Sequence, residues 1–267
     1  MHALLNIAVR AARRAGDTII RNINRLDSIR VSAKGRNDFV SEVDHLAEQE
    51  IIQTVRRSYP DHGFLAEESG RSGGSEFIWI IDPLDGTTNF LHGFPVFAVS
   101  VAVQHQGRVE HGVVYDPLRQ ELFTATRGAG AQLDGRRIRV SQARSLESCL
   151  IGTGFPFRGG TESLDAYLPM LRAMIESTEG VRRPGAAALD LAYVAAGRLD
   201  GFWEMGLSPW DVAAGGLLIQ EAGGRVGDMT GGDQWLEAGH IVAANLRIFD
   251  ALMAILKPHL PAGIADT

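Results

Sequence analysis

Two aspartates close an apolar run in the segment WIIDPLDGTTNF, residues 79–90. Trp79, Ile80 and Ile81 read as a buried strand, so Asp82 and Asp85 stand at its mouth. A carboxylate beside a second one is repelled unless a cation lies between them. Hard cations such as Mg²⁺ take oxygen ligands and keep waters that a phosphate can share. Gly86, Thr87 and Thr88 follow, where a helix start turns backbone N–H groups toward an anion. Acids for a metal and amides for a phosphate, so close together, point to metal-assisted phosphoryl chemistry. The Asp85-Gly86 pair also reads as an ordinary turn, and an aspartate ahead of a helix as its cap. That plainer reading leaves Asp82 without a reason.

Three further acid groups carry the same ambiguity. Glu67 and Glu68 follow the apolar GFLA run, at a strand end or in a solvated loop. Ser208, Pro209 and Asp211 fit a capping box with N-cap serine, N1 proline and N3 acid. Ser41 and Asp44 repeat the pattern upstream. Each acid alone is accounted for as a cap or a loop residue; the functional case is their combination. Among the other chemically able residues, His92 reads as a loop histidine and Cys149 as a small core residue. The basic runs RRPG, residues 182–185, and GRRIRV, residues 135–140, read as solvated faces or contacts at a dimer edge.

The elements that must hold these residues follow from periodicity. Leu4–Arg25 and Glu42–Arg57 read as helices, and FIWIID as a strand. VFAVSVAVQHQGRVEHGVVYDP reads as two strands turning at Gln106-Gly107, and AQLDGRRIRV as a hairpin turning at Asp134-Gly135. Further on, CLIGTGF is a strand and SLDAYLPMLRAMIEST a helix. AALDLAYVAAGR is a helix closed by Gly197, LDGFWEM a strand, WDVAAGGLLIQEAG a helix ended by Gly223, and GHIVAAN a last strand. The style changes near Arg144–Ser148 without a linker. The expectation is one compact α/β unit over 1–267, with packed halves of about 1–145 and 146–267 sharing a cleft.

Bulk properties narrow the class. A net charge of −6 argues against direct nucleic-acid binding by the chain as a whole. A single cysteine forbids an intrachain disulfide. Arg10, Arg13 and Arg14 interrupt the N-terminal apolar pattern, unlike a signal peptide, and Val96–Val103 is too short to span a bilayer. A cytoplasmic protein with no membrane contact is expected.

EES at Glu67–Ser69, WIIDPLDGTTNF, and WDVAAGGLLIQEAGG at Trp210–Gly224, preceded by DFVSEVD, resemble the inositol monophosphatase family. The likeness runs from about Asn6 to Phe249; LNIAVRAARRAG, GTGFPFR and LDLAYVAAGRLDGFWE draw it toward bacterial members. The resemblance implies a layered α/β/α/β/α sandwich of the metal-dependent sugar-phosphatase type, commonly a homodimer. It implies two to three Mg²⁺ ions, with Glu67, Asp82, Asp85 and Asp211 as ligands, the Leu84 carbonyl assisting, and Asp44 near a weaker third ion. Thr87 and Glu67 would orient the attacking water, Gly86 and Thr87 amides would hold the phosphate, and Glu204 would bond inositol hydroxyls near Gly185 and Ala187.

The implied activity is hydrolysis of inositol monophosphates, with lithium sensitivity. Histidinol phosphate, fructose 1,6-bisphosphate and 3′-phosphoadenosine 5′-phosphate are alternative substrates within the superfamily. Bacterial members also raise a binding role in transcription antitermination, with NusA and RNA polymerase as partners. One departure stands out. The family often has Ser or Thr where PGAAALD has Ala186, which implies a broad polyol preference.

Overall fold

The computed structural model describes residues 2–35, 38–156, 160–261 and 264. The Phe157 and Arg158 positions of the GTGFPFR motif lie outside the described residues.

The chain begins with α1 (Ala3–Asn22), whose buried face is Leu4, Leu5, Ala8, Ala11, Ala12, Ala15 and Ile19. This is the i, i+3/i+4 stripe of a one-sided helix. It ends three residues short of Arg25, and Ile23–Ser28 tightens into a 3₁₀ segment with Arg25 off helical geometry. The short strands β1 (Val31–Gly35) and β2 (Asp38–Ser41) pair with each other and lead into α2 (Glu42–Arg56).

The strands β3 (Gly63–Ala66), β4 (Gly70–Ser72), β5 (Phe77–Asp85), β6 (Ala98–His105), β7 (Arg108–Asp116), β8 (Glu121–Thr126), β9 (Gly130–Leu133) and β10 (Arg136–Arg137) follow. Between β5 and β6 lies α3 (Thr87–Leu91). The turns between β6 and β7 and between β9 and β10 are Gln106-Gly107 and Asp134-Gly135, both with positive φ at each position. That is the geometry two-residue hairpins favour.

The later chain comprises β11 (Leu150–Thr153), α4 (Gly160–Ser177), β12 (Gly180–Arg182), α5 (Ala187–Ala195), β13 (Gly201–Met205), α6 (Pro209–Glu221), β14 (Arg225–Gly227), β15 (His240–Ala244) and α7 (Leu246–Leu256). Among the described residues one sheet has the order β10-β9-β8-β7-β6-β5-β3-β4, and another β12-β11-β13-β15-β14.

Three apolar clusters define the layers. α1 and α2 cover one face of the larger sheet through Trp79, Ile81, Val99, Val101 and Val113. α5 and α6 lie between the sheets, against Ile78, Ile80 and Val114 on one side and Phe202, Ile241 and Ala243 on the other. α4 and α7 cover the outer face of the smaller sheet, against Ile151, Trp203 and Val242. The result is an α/β/α/β/α sandwich. Alternate residues of β5 enter different clusters, which is why FIWII is apolar without interruption: both faces of its sheet are covered. α6 is buried from Asp211 through Ile219 for the same reason. Among the described residues no helix is long and apolar enough to cross a membrane.

Candidate active site

The acid group is assembled by strand register. β3 runs parallel to β5 with Ala66 opposite Ile81, and the Glu67 N–H donates to the Ile81 carbonyl at 3.1 Å. Glu67 therefore emerges beside Asp82. On the other edge Asp82 faces Ser100 and Asp85 faces Ala98, so β5 carries one extra residue between the two acids. In an unbroken strand, residues three apart point to opposite faces. The bulge at Pro83-Leu84 cancels that alternation, and proline, lacking an N–H, suits a place where the ladder is interrupted.

Helix starts hold the remaining members. Asp211 is N3 of α6, and its Oδ2 accepts from the Ser208 N–H at 2.7 Å in a capping box. Asp85 Oδ2 accepts from the Ala188 N–H at 2.7 Å, in the first turn of α5. Asp82 Oδ1 accepts from the Leu84 N–H at 3.0 Å. Gly86 is the N-cap of α3 with φ 90° and no side chain capping the helix. A Cβ there would stand 2.9 Å from the Val96 carbonyl oxygen. Glycine is required on both counts, and among the described residues no side chain caps the α3 amides.

Asp82 and Asp85 are 2% and 9% exposed, and Asp211 7%. Burial pushes the Asp82 carboxyl well above the ordinary range, and the charges of Glu67, Asp85 and Asp211 push it the same way. Asp85 is raised by burial and then by Asp211, with partial relief from the α5 amides. Among the described residues, the side-chain charges that act most on these two acids are those of other acids. Buried carboxylates that repel one another, all offering oxygen, match the donor chemistry of a hard divalent cation. The fit is one of donor type and charge. Among the described residues no three acid, imidazole or thiol side chains are already drawn into a closed cage.

Asp44 and Thr87 form a separate unit. Asp44 is fully buried at N3 of α2, where Oδ2 accepts from the N–H and hydroxyl of Ser41. The Thr87 hydroxyl lies 2.8 Å from Asp44 Oδ1 and 3.0 Å from the Leu84 carbonyl oxygen, so it can donate its hydrogen bond to either. Its own oxygen is left able to accept a hydrogen bond. The same Asp44 is thus both the capping acid and the partner of Thr87.

Glu204 lies in β13, partly buried, and its charge reaches Asp190 in α5. Ala186 is the N-cap of α5 and Ala187 its first residue, both buried. Gly185 is joined to the α3 region by Asn89, whose Nδ2 donates to the carbonyls of Val96, Pro184 and Gly185 at 2.8, 2.9 and 3.2 Å. Asn89 ties residues distant in sequence, so nothing local marks it. Asp190 is different: a lone acid in the apolar AALDLAYVAAG run is a visible oddity. It is 1% exposed, and among the described residues its Oδ1 has no hydrogen-bond partner. His92, exposed, bonds the Thr88 carbonyl through Nδ1 at 2.8 Å. Cys149 is buried, its thiol pushed up to about 12 chiefly by burial.

Residues 1–260 match the inositol monophosphatase family. The chain belongs to that family and is a phosphatase of its kind, the family being generally metal-dependent. It is 58% identical to Nus factor SuhB of Pseudomonas aeruginosa over 99% of both chains. It is 53% identical to Nus factor SuhB of Escherichia coli K12, over 97% of this chain and 98% of that one. Among solved structures it resembles extragenic suppressor protein suhB from Bartonella henselae, with a TM-score of 0.93, 47% identity, and 97% and 100% of the two chains covered. It also resembles an inositol monophosphatase from Anabaena, with a TM-score of 0.86 and 39% identity over 97% of each chain.

Proposed function

We propose that the chain is a Mg²⁺-dependent phosphomonoesterase that hydrolyses inositol monophosphates to inositol and phosphate. The observation that carries this reading is the group Glu67, Asp82, Asp85 and Asp211, buried or partly buried, whose charges repel one another at Asp82 and Asp85. These four acids, with the Leu84 carbonyl and with Asp44 at a third position, would hold two to three Mg²⁺ ions. When bound, such ions neutralise a phosphate dianion, acidify a water and stabilise a leaving alkoxide.

The chain's own groups do the positioning. Thr87, its hydroxyl hydrogen donated to Asp44 or to the Leu84 carbonyl, would accept a hydrogen bond from the attacking water, and Glu67 would hold the other side. The Gly86 and Thr87 amides, at an α3 start without a side-chain cap, bind phosphate oxygens. The N-termini of α5 and α6 add positive field where Asp85 and Asp211 sit. Glu204 accepts hydroxyl hydrogen bonds from the polyol, near Gly185 and Ala187. The small side chain of Ala186 leaves the polyol contact broad.

The test is phosphate release from inositol 1-phosphate, histidinol phosphate, fructose 1,6-bisphosphate and 3′-phosphoadenosine 5′-phosphate, each with Mg²⁺ or EDTA. Mg²⁺-dependent turnover with inositol 1-phosphate preferred is the expected result, and millimolar Li⁺ should slow it. Preference for another of the four would replace the substrate assignment.

A second reading is favoured by the Nus factor names of the relatives at 58% and 53% identity. In it the chain also binds the transcription machinery, through NusA and RNA polymerase. The exposed Arg182 and Arg183, the latter 4.7 Å over the Phe155 ring, and the exposed Leu164, Leu168 and Ile175 of α4 offer surface for such a partner or for a homodimer. A pull-down with NusA and polymerase distinguishes partner binding from catalysis.

A further inference from the structure

Gly152 in β11 and Gly154 just beyond it share one side of the strand by its period of two. β11 runs parallel to β13, with Gly152 opposite Phe202 and Thr153 opposite Trp203. Continuing that register sets Gly154 beside Glu204. A Cβ on Gly154 would lie 1.9 Å from Glu204 Cδ and 2.0 and 2.1 Å from its two carboxylate oxygens. The carboxyl group of Glu204 therefore fills the volume that a side chain at position 154 would need.

The space behind this seat is taken. A Cβ on Gly152 would meet Leu199 Cδ1 and Phe202 Cδ2 at 3.0 Å and Asp190 Oδ1 at 3.6 Å. Asp190 is an acid, fully buried on the same side, and the field between it and Glu204 is repulsive. The direction left to a displaced Glu204 is outward, on the side where it is partly exposed. Gly154 is not among the glycines with positive φ, so its role is one of space and not of backbone conformation.

We propose that Gly154 is a specificity-determining residue: its missing side chain is the seat that fixes the Glu204 carboxylate for contact with substrate hydroxyls. The inference rests on the reading of Glu204 as the polyol contact. It adds that the contact depends on a residue distant in sequence that touches no substrate. Gly154→Ala would evict the end of a flexible side chain, so the chain should fold while Glu204 points elsewhere.

The experiment is a cycle of four proteins: the parent, Gly154→Ala, Glu204→Ala and the double variant. For each, kcat/KM is measured with inositol 1-phosphate and with 4-nitrophenyl phosphate, and the ratio of the two is the readout. Losing a hydrogen bond to a charged group predicts a fall of at least about tenfold in this ratio for Gly154→Ala. The double variant should fall no further than Glu204→Ala alone, within about twofold, because both substitutions remove one interaction. If Glu204→Ala lowers the ratio and Gly154→Ala leaves it unchanged, or if their effects multiply, the seat is overturned while Glu204 keeps its role. If Glu204→Ala leaves the ratio unchanged, the polyol reading itself fails and takes the inference with it. Should Gly154→Ala fold poorly, the melting temperature of the double variant decides: recovery on emptying the seat supports the proposal, and no recovery overturns it.

Discussion

Replacing Thr87 by valine removes one hydroxyl and keeps the shape of the side chain. In the parent that hydroxyl lies 2.8 Å from Asp44 Oδ1. Asp44 is fully buried, and burial raises its carboxyl pKa against the lowering effect of its bonds to Ser41 and Thr87. After the substitution Oδ2 keeps both donors of Ser41, whereas Oδ1 loses its hydroxyl. An acceptor left unsatisfied in a buried place costs about 1–3 kcal/mol. For a chain of this size that lowers Tm by roughly 2–10 °C. The catalytic loss should be much larger, because a positioned group that handles the proton of the attacking water contributes about 10²–10⁴-fold. Thr87→Ser restores the hydroxyl and should recover most of the activity. The assay is kcat/KM on inositol 1-phosphate at saturating Mg²⁺, beside thermal melts of all three proteins. Parent-like turnover in Thr87→Val would refute the water-orienting role. A Thr87→Ser protein as inactive as the valine variant would show that the hydroxyl alone is not enough and that the methyl must hold it in place.

Other expectations concern groups away from the reacting centre. His111 is 4% exposed and its pKa is lowered to about 4, mostly by burial and then by His2. The unfolded chain therefore binds the extra proton between about pH 6.5 and 4, and stability falls as pH drops through that window, by about 3 kcal/mol in all. Urea midpoints from pH 7 to pH 4.5 should decline less steeply in His111→Gln than in the parent; equal slopes would exclude His111 as a source. The Cys149 thiol, pushed up to about 12 and buried, should resist alkylation at pH 8 until the chain unfolds; rapid labelling of the folded protein would contradict its placement. Arg183→Ala should alter dimerisation or the NusA and polymerase pull-down while sparing Mg²⁺-dependent turnover, and Asp82→Asn should do the reverse. Sedimentation and pull-down on both variants decide this, and loss of the pull-down in a folded Asp82→Asn protein would join the two roles.

What could be read in the sequence was local in origin. The capping boxes at Ser41/Asp44 and Ser208/Asp211 are written within four residues, and both form. Gln106-Gly107 and Asp134-Gly135 specify their turns by backbone preference alone. Helix ends were less legible: α1 was expected to reach Arg25, but stops at Asn22 where the chain tightens into a 3₁₀ segment. The closing helix α7 was not anticipated, although Asn245 caps it with bonds from the N–H groups of Arg247 and Ile248. The bulge that turns Asp82 and Asp85 to one side depends on pairing with β6, and the Asn89 bridge joins residues some 95 positions apart. Neither has a local signature. Gly154 reads only as part of the CLIGTGF strand until Glu204 is seen filling its side-chain space.

The proposed role of the Asp82 group is to hold Mg²⁺ for hydrolysis of a polyol phosphate. Its most direct test pairs calorimetric Mg²⁺ titration with phosphate release from inositol 1-phosphate, for the parent and Asp82→Asn after EDTA treatment. The parent should bind Mg²⁺ and regain turnover with it. Asp82→Asn should keep the parent's circular dichroism, bind the ion more weakly and lose activity by at least about 10–100-fold, the loss seen even when residues behind the ligands are changed. A folded Asp82→Asn protein with parent-like Mg²⁺ affinity and turnover would contradict it.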